Sequence, residues 1–274
     1  MAKINIATFN IRNDNLLDGW NAWMFRRAWV REIIDRNKLD IVGIQEAKAN
    51  QVDYLAAGRL DFVGVGRDDG KRGGEFAPIF YDRRRFQHLR SGTFWLSETP
   101  DVVSRGWDAG HNRVCTWVSL KDRSSGGPPF FVFNTHLDNK GAVARERSVA
   151  LILQRIRSIA GATPFFLIGD FNLRPQTPPI RLLSSTLRNS RLVTETKPAG
   201  PDGTANGFDV NRPLTTRIDY IFASPTVRVL SYAVLKEIRN GRYASDHLPV
   251  VVSAFIEKKP VLAPGKSSKT LPRR

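Results

Sequence analysis

The sequence is poor in cysteine and has no long apolar run. Its 274 residues include a single cysteine, Cys115, which excludes an intramolecular disulfide and any zinc site built from several cysteines. No uninterrupted apolar segment approaches the length of a membrane span, and a strand-like segment rather than the apolar core of an export signal follows Met1. We therefore expect a soluble protein without a transmembrane segment, with the cytoplasm as the default compartment.

Acidic residues are scarce relative to basic ones. Lysine and arginine number 42 against 26 aspartate and glutamate, which gives a net charge of +16 and a pI near 10.5. The segment 257–274 contributes +5 of this charge, so most of the excess belongs to the rest of the chain. A basic balance of this kind serves either solubility or the binding of a phosphate-rich partner.

The apolar residues are numerous enough for one large core. They make up 41% of the chain, and no linker-like segment interrupts residues 1–256, so we expect a single domain there and a monomeric protein. Residues 257–274 contain three prolines and alternating lysine and serine, with too little apolar content to pack. We expect this segment to be a basic, disordered tail.

Strand and helix patterns follow one another irregularly along the chain. Short apolar runs indicate strands, and apolar spacings of three and four indicate helices. The predicted strands span 3–11, 40–46, 76–81, 116–120, 130–136, 164–169, 218–222 and 250–256, and the predicted helices lie at 22–33 and 149–160. Turns join some of these strands and helices join others. The mixture predicts an α/β (α+β) fold, with two stacked mixed β-sheets flanked by helices.

Polar residues follow several predicted strands, where they can bind a metal or move a proton. Asp170 and Asn172 come just after a buried strand and, being two residues apart, point to the same side of an extended backbone. One can activate water while the other holds a phosphate oxygen; the alternative is an Asx-turn that only ends the strand. Asn10, Glu46 and Asp246 offer the oxygen ligands that Mg²⁺ or Mn²⁺ prefers.

Two of the four histidines stand near strand ends with carboxylates available. His247 follows Asp246, and Asp219, within an otherwise apolar strand, is the candidate that would hold the imidazole protonated. The alternative is that backbone amides satisfy Asp219. His136 ends a strand and can pair with Glu75, which closes a glycine-rich loop. A metal, a base and cationic or hydrogen-bonding groups are what phosphate-ester hydrolysis requires.

Seven short motifs, taken in order, resemble those of the endonuclease/exonuclease/phosphatase superfamily. They are Thr-Phe-Asn at 8–10, Gln-Glu at 45–46, Gly-Glu-Phe at 74–76, Asn-Thr-His at 134–136, Gly-Asp-Phe-Asn at 169–172, Ile-Asp-Tyr-Ile at 218–221 and Ser-Asp-His-Leu-Pro-Val at 245–250. Each is weak alone, but the set in this order is specific. The resemblance covers residues 3–256 and implies a four-layer α/β sandwich with the site at one edge of the two sheets.

The resemblance also implies the roles of the metal-binding and water-activating residues. Glu46 is the expected principal metal ligand, with Asn10 and Asp246 in its neighbourhood. Asp170 is the expected base that activates water, and Asn172 is an expected phosphate ligand. The implied cofactor is Mg²⁺, with Mn²⁺ as the other possibility.

Four further residues are implied to stabilise the transition state. They form two pairs, His247 oriented by Asp219 and His136 paired with Glu75, and the second pair is similar to that of the pancreatic-type deoxyribonuclease branch. Arg113 resembles a phosphate-contacting arginine of the family, with a surface salt bridge as the alternative interpretation.

Two substrate classes fit this chemistry, and we expect the first, with the second as the alternative. The first is nucleic acid, cleaved by in-line attack of water activated by Asp170, and clusters of basic residues at 26–27, 71–72, 83–85 and 145–147 favour it. The second is a small phosphorylated molecule such as a sugar phosphate, an inositol phosphate or a lipid head group, favoured if the loops 92–112 and 198–215 wall a compact pocket. A catalytically inactive binding module is disfavoured because all expected metal ligands and the Asp-His pair are present.

Overall fold

The computed structural model describes residues 3–257, so nearly all of the predicted tail lies outside the described residues. The strands are β1 Ile4–Asn10, β2 Ile41–Gln45, β3 Leu60–Val63, β4 Ile79–Asp82, β5 Phe86–Trp95, β6 Val114–Asp122, β7 Phe130–His136, β8 Phe165–Asp170, β9 Arg188–Asn189, β10 Asp219–Ala223, β11 Val227–Val234 and β12 Val250–Ile256. The helices are a 3₁₀-helix at Leu16–Asn21 and α1 Trp23–Arg36, α2 Ala49–Ala56, α3 Ala142–Ala160, α4 Pro178–Thr186 and α5 Ser190–Val193.

The strands form two six-stranded mixed sheets. The first has the order β11-β12-β1-β2-β4-β3 and the second the order β5-β6-β7-β8-β10-β9. In each sheet one central pair is parallel, β1 with β2 and β7 with β8, and the remaining pairs are antiparallel. The parallel pairs are joined by crossovers that contain α1 and α3. The predicted fold of two mixed sheets flanked by helices is confirmed.

Alternating side chains along the central strands separate the layers. In β1, Ile4 and Ile6 belong to the core between the sheets, whereas Ala7 and Phe9 pack beneath α1 and α2. In β7, Phe130 and Val132 belong to the core between the sheets, whereas Phe131 and Phe133 pack beneath α3 and α4. Because side chains of a strand point to opposite faces in turn, fully buried strands of this kind require a layer on each side.

A buried polar contact joins the two sheets near the edge where β1 and β2 end. The Asn134 side chain accepts a hydrogen bond from Gln45 Nε2 at 2.6 Å and donates to the carbonyl oxygens of Ile44 and Pro78, both at 2.8 Å. A Cβ atom at Gly43 would lie 2.5 Å from Ile168 Cδ1 and 2.7 Å from the Asn134 amide, so only glycine permits this approach. These contacts fix the position of one sheet relative to the other beside the site.

Several edge elements were not predicted from the sequence. The strand β5 exposes its centre, Gln87–Ser91, to solvent and contains a bulge, so its apolar residues do not alternate. The edge strands β3 and β11 and the short helices α4 and α5 were also missed. Over residues 3–257, no helix is long and apolar enough to cross a bilayer.

Candidate active site

The predicted functional residues converge on one edge of the two sheets. The strands β1, β2, β7 and β8 end there, and β10 and β12 begin there, because β10 runs antiparallel to β8 and β12 antiparallel to β1. The edge opens into a pocket of about 380 Å³ lined by Arg12, Asn13, Glu46, Arg67, Glu75, His111, Arg113, His136, Asn139, Asp170, Asn172 and His247. The strand topology thus brings together residues that are as far apart in sequence as 12 and 247.

The buried amide of Asn10 lies at the centre of the site. Its Nδ2 atom donates to Glu46 Oε1 and to Asp170 Oδ2, both at 3.0 Å. Its Oδ1 atom accepts from the backbone N–H of Arg12 at 3.0 Å. Asn10 therefore connects the expected metal ligand with the expected base, and the oxygen through which it was predicted to bind a metal is engaged by the backbone.

Glu46 lines the pocket and the Asp246 carboxylate lies in its neighbourhood, and we call these two residues the carboxylate side. Glu46 has a left-handed backbone conformation with φ of 64°, which is strained for this residue and turns its side chain towards Asn10. Burial and the neighbouring Glu46 carboxylate raise the pKa of Asp246, and the guanidinium of Arg12 lies 3.9 Å from Glu46. Two crowded carboxylates with one arginine nearby fit a hard divalent cation such as Mg²⁺.

Asp170 ends β8 in a turn that also depends on glycine. A Cβ atom at Gly169 would lie 2.1 Å from the Thr135 carbonyl oxygen, so the close pairing of β7 and β8 excludes any side chain there. Asp170 Oδ1 accepts from the backbone N–H of Asn172 at 2.9 Å, so the Asx-turn named above as the alternative is present. Burial, together with the nearby Asp219 carboxylate, raises the pKa of Asp170 to about 7, which suits a group that takes a proton near neutral pH.

His247 pairs with Asp219 as predicted. Its Nδ1 atom lies 2.9 Å from Asp219 Oδ2, and its Nε2 atom lies 3.8 Å from Asp170 Oδ2. Burial opposes a charge on the ring, but the carboxylates of Asp219 and Asp170 outweigh it and raise the pKa of His247 well above its ordinary value. The raised pKa favours the protonated ring, which Asp219 orients and which can donate a hydrogen bond from Nε2.

The expected pairing of His136 with Glu75 is absent, and this prediction is corrected. Glu75 instead bonds Arg67, at 2.5 Å, and Asn13, at 3.0 Å, because Arg67 lies in the same glycine-rich loop and folds back onto it. His136 Nε2 lies 3.0 Å from Asn172 Nδ2, which can only donate, so Nε2 accepts in this contact, while Nδ1 is buried without a partner among the described residues. Burial and the two nearby arginines, Arg113 and Arg67, lower the pKa of His136 well below its usual value.

Arg67 and Arg113 form the cationic side of the pocket. Arg113 is 5% exposed and pairs with the buried Asp138 at 3.3 Å, so its salt bridge is buried rather than on the surface. Arg113 Nη1 and Arg67 Nε are buried nitrogens without a hydrogen-bond partner among the described residues. Burial, together with the charge of Arg113, also lowers the pKa of Arg67. Buried like charges with open donor positions favour an anionic ligand.

One of the two expected loops walls this pocket. Residues 96–112 contribute His111, and the loop is fastened to α3, where the Asp108 carboxylate accepts from the backbone N–H of Ala144 at 2.6 Å and of Val143 at 3.2 Å. The loop 198–215 instead supports the backbone of Asp246 through Asn206. Arg12, Arg67 and Asp138 were missed because no motif marks them.

The chain belongs to the Endonuclease/Exonuclease/phosphatase family, whose family model matches residues 7–247. Members of this family are phosphoesterase hydrolases. A family protein of Bacteroides vulgatus is 37% identical with a TM-score of 0.90 and covers 94% of this chain and 100% of its own. A mannosyl-6-phosphatase of Bacteroides thetaiotaomicron is 34% identical with a TM-score of 0.87, covering 92% of this chain and 100% of its own.

A curated relative is similar over a shorter stretch. The Nocturnin of Drosophila melanogaster is 26% identical over 169 residues, which is 57% of this chain and 25% of that protein. The chain thus spans about a quarter of the length of this relative.

Proposed function

We propose that the protein is a divalent-metal-dependent phosphoesterase that releases phosphate from small phosphorylated molecules. The observation that carries this proposal is one compact pocket that combines carboxylates, Glu46 of the lining with Asp246 in its neighbourhood, and two lining arginines, Arg67 and Arg113. Asp170 is buried at the end of β8, with its carboxylate bonded to Asn10 and Asn172. A phosphoryl group bears several charged oxygens and needs cationic groups on more than one side.

The carboxylate side would hold the metal. Glu46 and Asp246 would bind Mg²⁺, with Mn²⁺ as the alternative, and Asn10 would orient Glu46 through its amide nitrogen. The bound ion would neutralise charge on the phosphoryl oxygens.

The remaining residues would position water and substrate. Asp170, with its pKa raised to about 7, would accept a proton from the attacking water. His247 would donate a hydrogen bond from Nε2 to a phosphoryl oxygen, held in place by Asp219. The amide nitrogen of Asn172 lies 3.0 Å from His136 Nε2 and donates to the Leu137 carbonyl oxygen at 2.9 Å, and it would exchange the contact with His136 for a second phosphoryl oxygen. These roles match those implied by the family motifs.

The cationic side supports a terminal phosphate on a small molecule. A phosphomonoester presents more charge and one more unesterified oxygen than a diester, and Arg67 and Arg113 both have buried donors to offer. The fastened loop 96–112 closes this side, which leaves room for a compact group. The similarity to a mannosyl-6-phosphatase supports a phosphorylated sugar as the first compound to test.

A second candidate is the phosphodiester backbone of nucleic acid, which the net charge of +16 favours. Several of the basic clusters are engaged within the protein, however. Arg26 is buried on backbone carbonyl oxygens, Arg72 pairs with Asp53, and Arg85 pairs with acidic residues of the first and second sheets. Arginines that are paired within the protein contribute less to a surface that binds a polyanion.

The experiment compares substrates under identical conditions. The purified protein is incubated with Mg²⁺, or with EDTA, and sugar phosphates, a nitrophenyl monoester, the matching diester, plasmid DNA and RNA. We expect inorganic phosphate from the monoesters, no turnover with EDTA, and no turnover by Asp170→Asn. Faster cleavage of plasmid or RNA than of any monoester would favour the second candidate. Activity retained by Asp170→Asn would contradict the proposed base.

A further inference from the structure

An exposed apolar surface lies next to the catalytic pocket and belongs to none of the hydrophobic cores described above. It consists of Leu16, Leu17, Trp20, Met24 and Phe25, whose side chains are between 51% and 93% exposed. We call these five residues the apolar patch. They are five of the twelve large apolar side chains that are exposed within residues 3–257, yet they fall within ten consecutive positions. A concentration of this kind marks an interaction surface.

The patch is held in a defined position. No residue of the 3₁₀-helix Leu16–Asn21 is buried, but Asp18 in this helix forms an ion pair with Arg12 at 3.0 Å. The carbonyl oxygen of Trp20 accepts from Arg242 at 3.0 Å, and the rings of Trp20 and Phe25 lie 5.1 Å apart. Since Arg12 also lines the catalytic pocket, this ion pair joins the segment that carries the patch to the rim of that pocket.

Three arginines adjoin the patch and form its positive rim. Arg27 and Arg31 follow Met24 on one face of α1 and lie over the ring of Tyr54, and Arg242 adjoins Trp20. Among the residues that the structure describes, no carboxylate lies within 4.0 Å of these three guanidinium groups. The one acidic residue within the patch segment, Asp18, is already paired with Arg12. The surface therefore combines exposed apolar side chains with a positive rim.

We propose that the apolar patch docks on the surface of an anionic phospholipid membrane. Leucine, tryptophan and phenylalanine enter the boundary between head groups and acyl chains, and arginines at the edge contact anionic head groups. A second copy of the chain is a poorer occupant, because two rims of the same charge would then face each other. Docking in this position would bring the rim of the catalytic pocket to the membrane surface. The proposal concerns binding and does not depend on the substrate.

The test measures binding of the full-length chain to vesicles. Vesicles of phosphatidylcholine alone are compared with vesicles that also contain phosphatidylglycerol, at low and at high salt. We expect binding to the anionic vesicles, weakened by salt because the electrostatic part is screened. The double variant Leu16→Gln, Leu17→Gln should bind the anionic vesicles at least about tenfold more weakly than the wild type. Its hydrolysis of a soluble substrate should be unchanged. The matched control is Leu192→Gln, which removes an equally exposed leucine from α5.

A spectroscopic measurement locates the contact. Lipids with bromine-labelled acyl chains should quench part of the tryptophan emission, and Trp20→Phe should bind normally but lose that part of the quenching. Equal binding by the wild type and the double leucine variant would overturn the proposal, as would an absence of binding to anionic vesicles. If light scattering shows a dimer of the wild type that is absent for the double leucine variant, a second copy of the chain is the occupant instead.

Discussion

Replacing Arg113 tests the cationic side of the pocket most directly. The guanidinium bonds Asp138 at 3.3 Å and Asn139 at 3.3 Å, and its Nη1 atom is buried with no partner among the described residues. If that nitrogen donates to a phosphoryl oxygen, the hydrogen bond is charge-assisted and contributes about 1.5–3 kcal/mol. Since about 1.4 kcal/mol corresponds to a factor of ten, Arg113→Met should lower kcat/KM by about 10–150-fold.

Two companion variants separate binding from folding. Arg113→Lys keeps the charge but loses the forked geometry, so its kcat/KM should fall between those of the wild type and Arg113→Met. Arg145→Met is the matched control, because Arg145 donates to the backbone carbonyl oxygen of Asp138 and does not line the pocket. Steady-state rates on a phosphomonoester and on the matching diester are measured beside thermal unfolding. A folded Arg113→Met protein with monoester kcat/KM within twofold of the wild type would refute the reasoning.

Three further predictions concern stability. Gly169→Ala should destabilise the fold by about 3 kcal/mol or more, because its Cβ atom would lie 2.1 Å from the Thr135 carbonyl oxygen; a loss below about 1 kcal/mol in urea unfolding would contradict this. Backbone N–H groups and Arg113, outweighing burial, hold the pKa of Asp138 well below its ordinary value, so its carboxylate stabilises the fold above about pH 4 and this contribution is lost as the pH falls further. The stability difference between Asp138→Asn and the wild type should therefore shrink below about pH 4, and a constant difference would be evidence against the assignment. Mg²⁺ at about 100 times its dissociation constant should raise the Tm of the wild type by roughly 5–10 °C and leave that of Glu46→Gln unchanged; equal shifts would exclude Glu46 as a ligand.

The polar site residues at strand ends could be predicted from the sequence because each stands beside an apolar run. Asp170 directly follows an apolar strand, and Asp219 interrupts one, so each is conspicuous in the printed sequence. The cationic side was harder to predict, because its position depends on how loops fold. Arg67 reaches the site only through the glycine-rich loop, where it takes the carboxylate of Glu75 that was assigned to His136.

The core strands and the edge strands differ for a related reason. A strand buried on both faces, such as β7, is an unbroken apolar run and is easily predicted. The edge strand β5 has buried ends and a solvent-exposed centre, and its bulge interrupts the alternation. Its pairing with β6 is decided by tertiary contacts, which a single sequence does not display.

The hydrogen bonds of Asn10 have a consequence for how the protein fails. One amide nitrogen connects Glu46, at the end of a first-sheet strand, to Asp170, at the end of a second-sheet strand. A slide of about 1 Å between the sheets would break this bridge and misplace the proposed base, and misplacement on that scale can cost about a hundredfold in rate. Substitutions in the core between the sheets should therefore abolish hydrolysis while the strands are still folded. The catalytic rate would then report how well the two sheets are aligned.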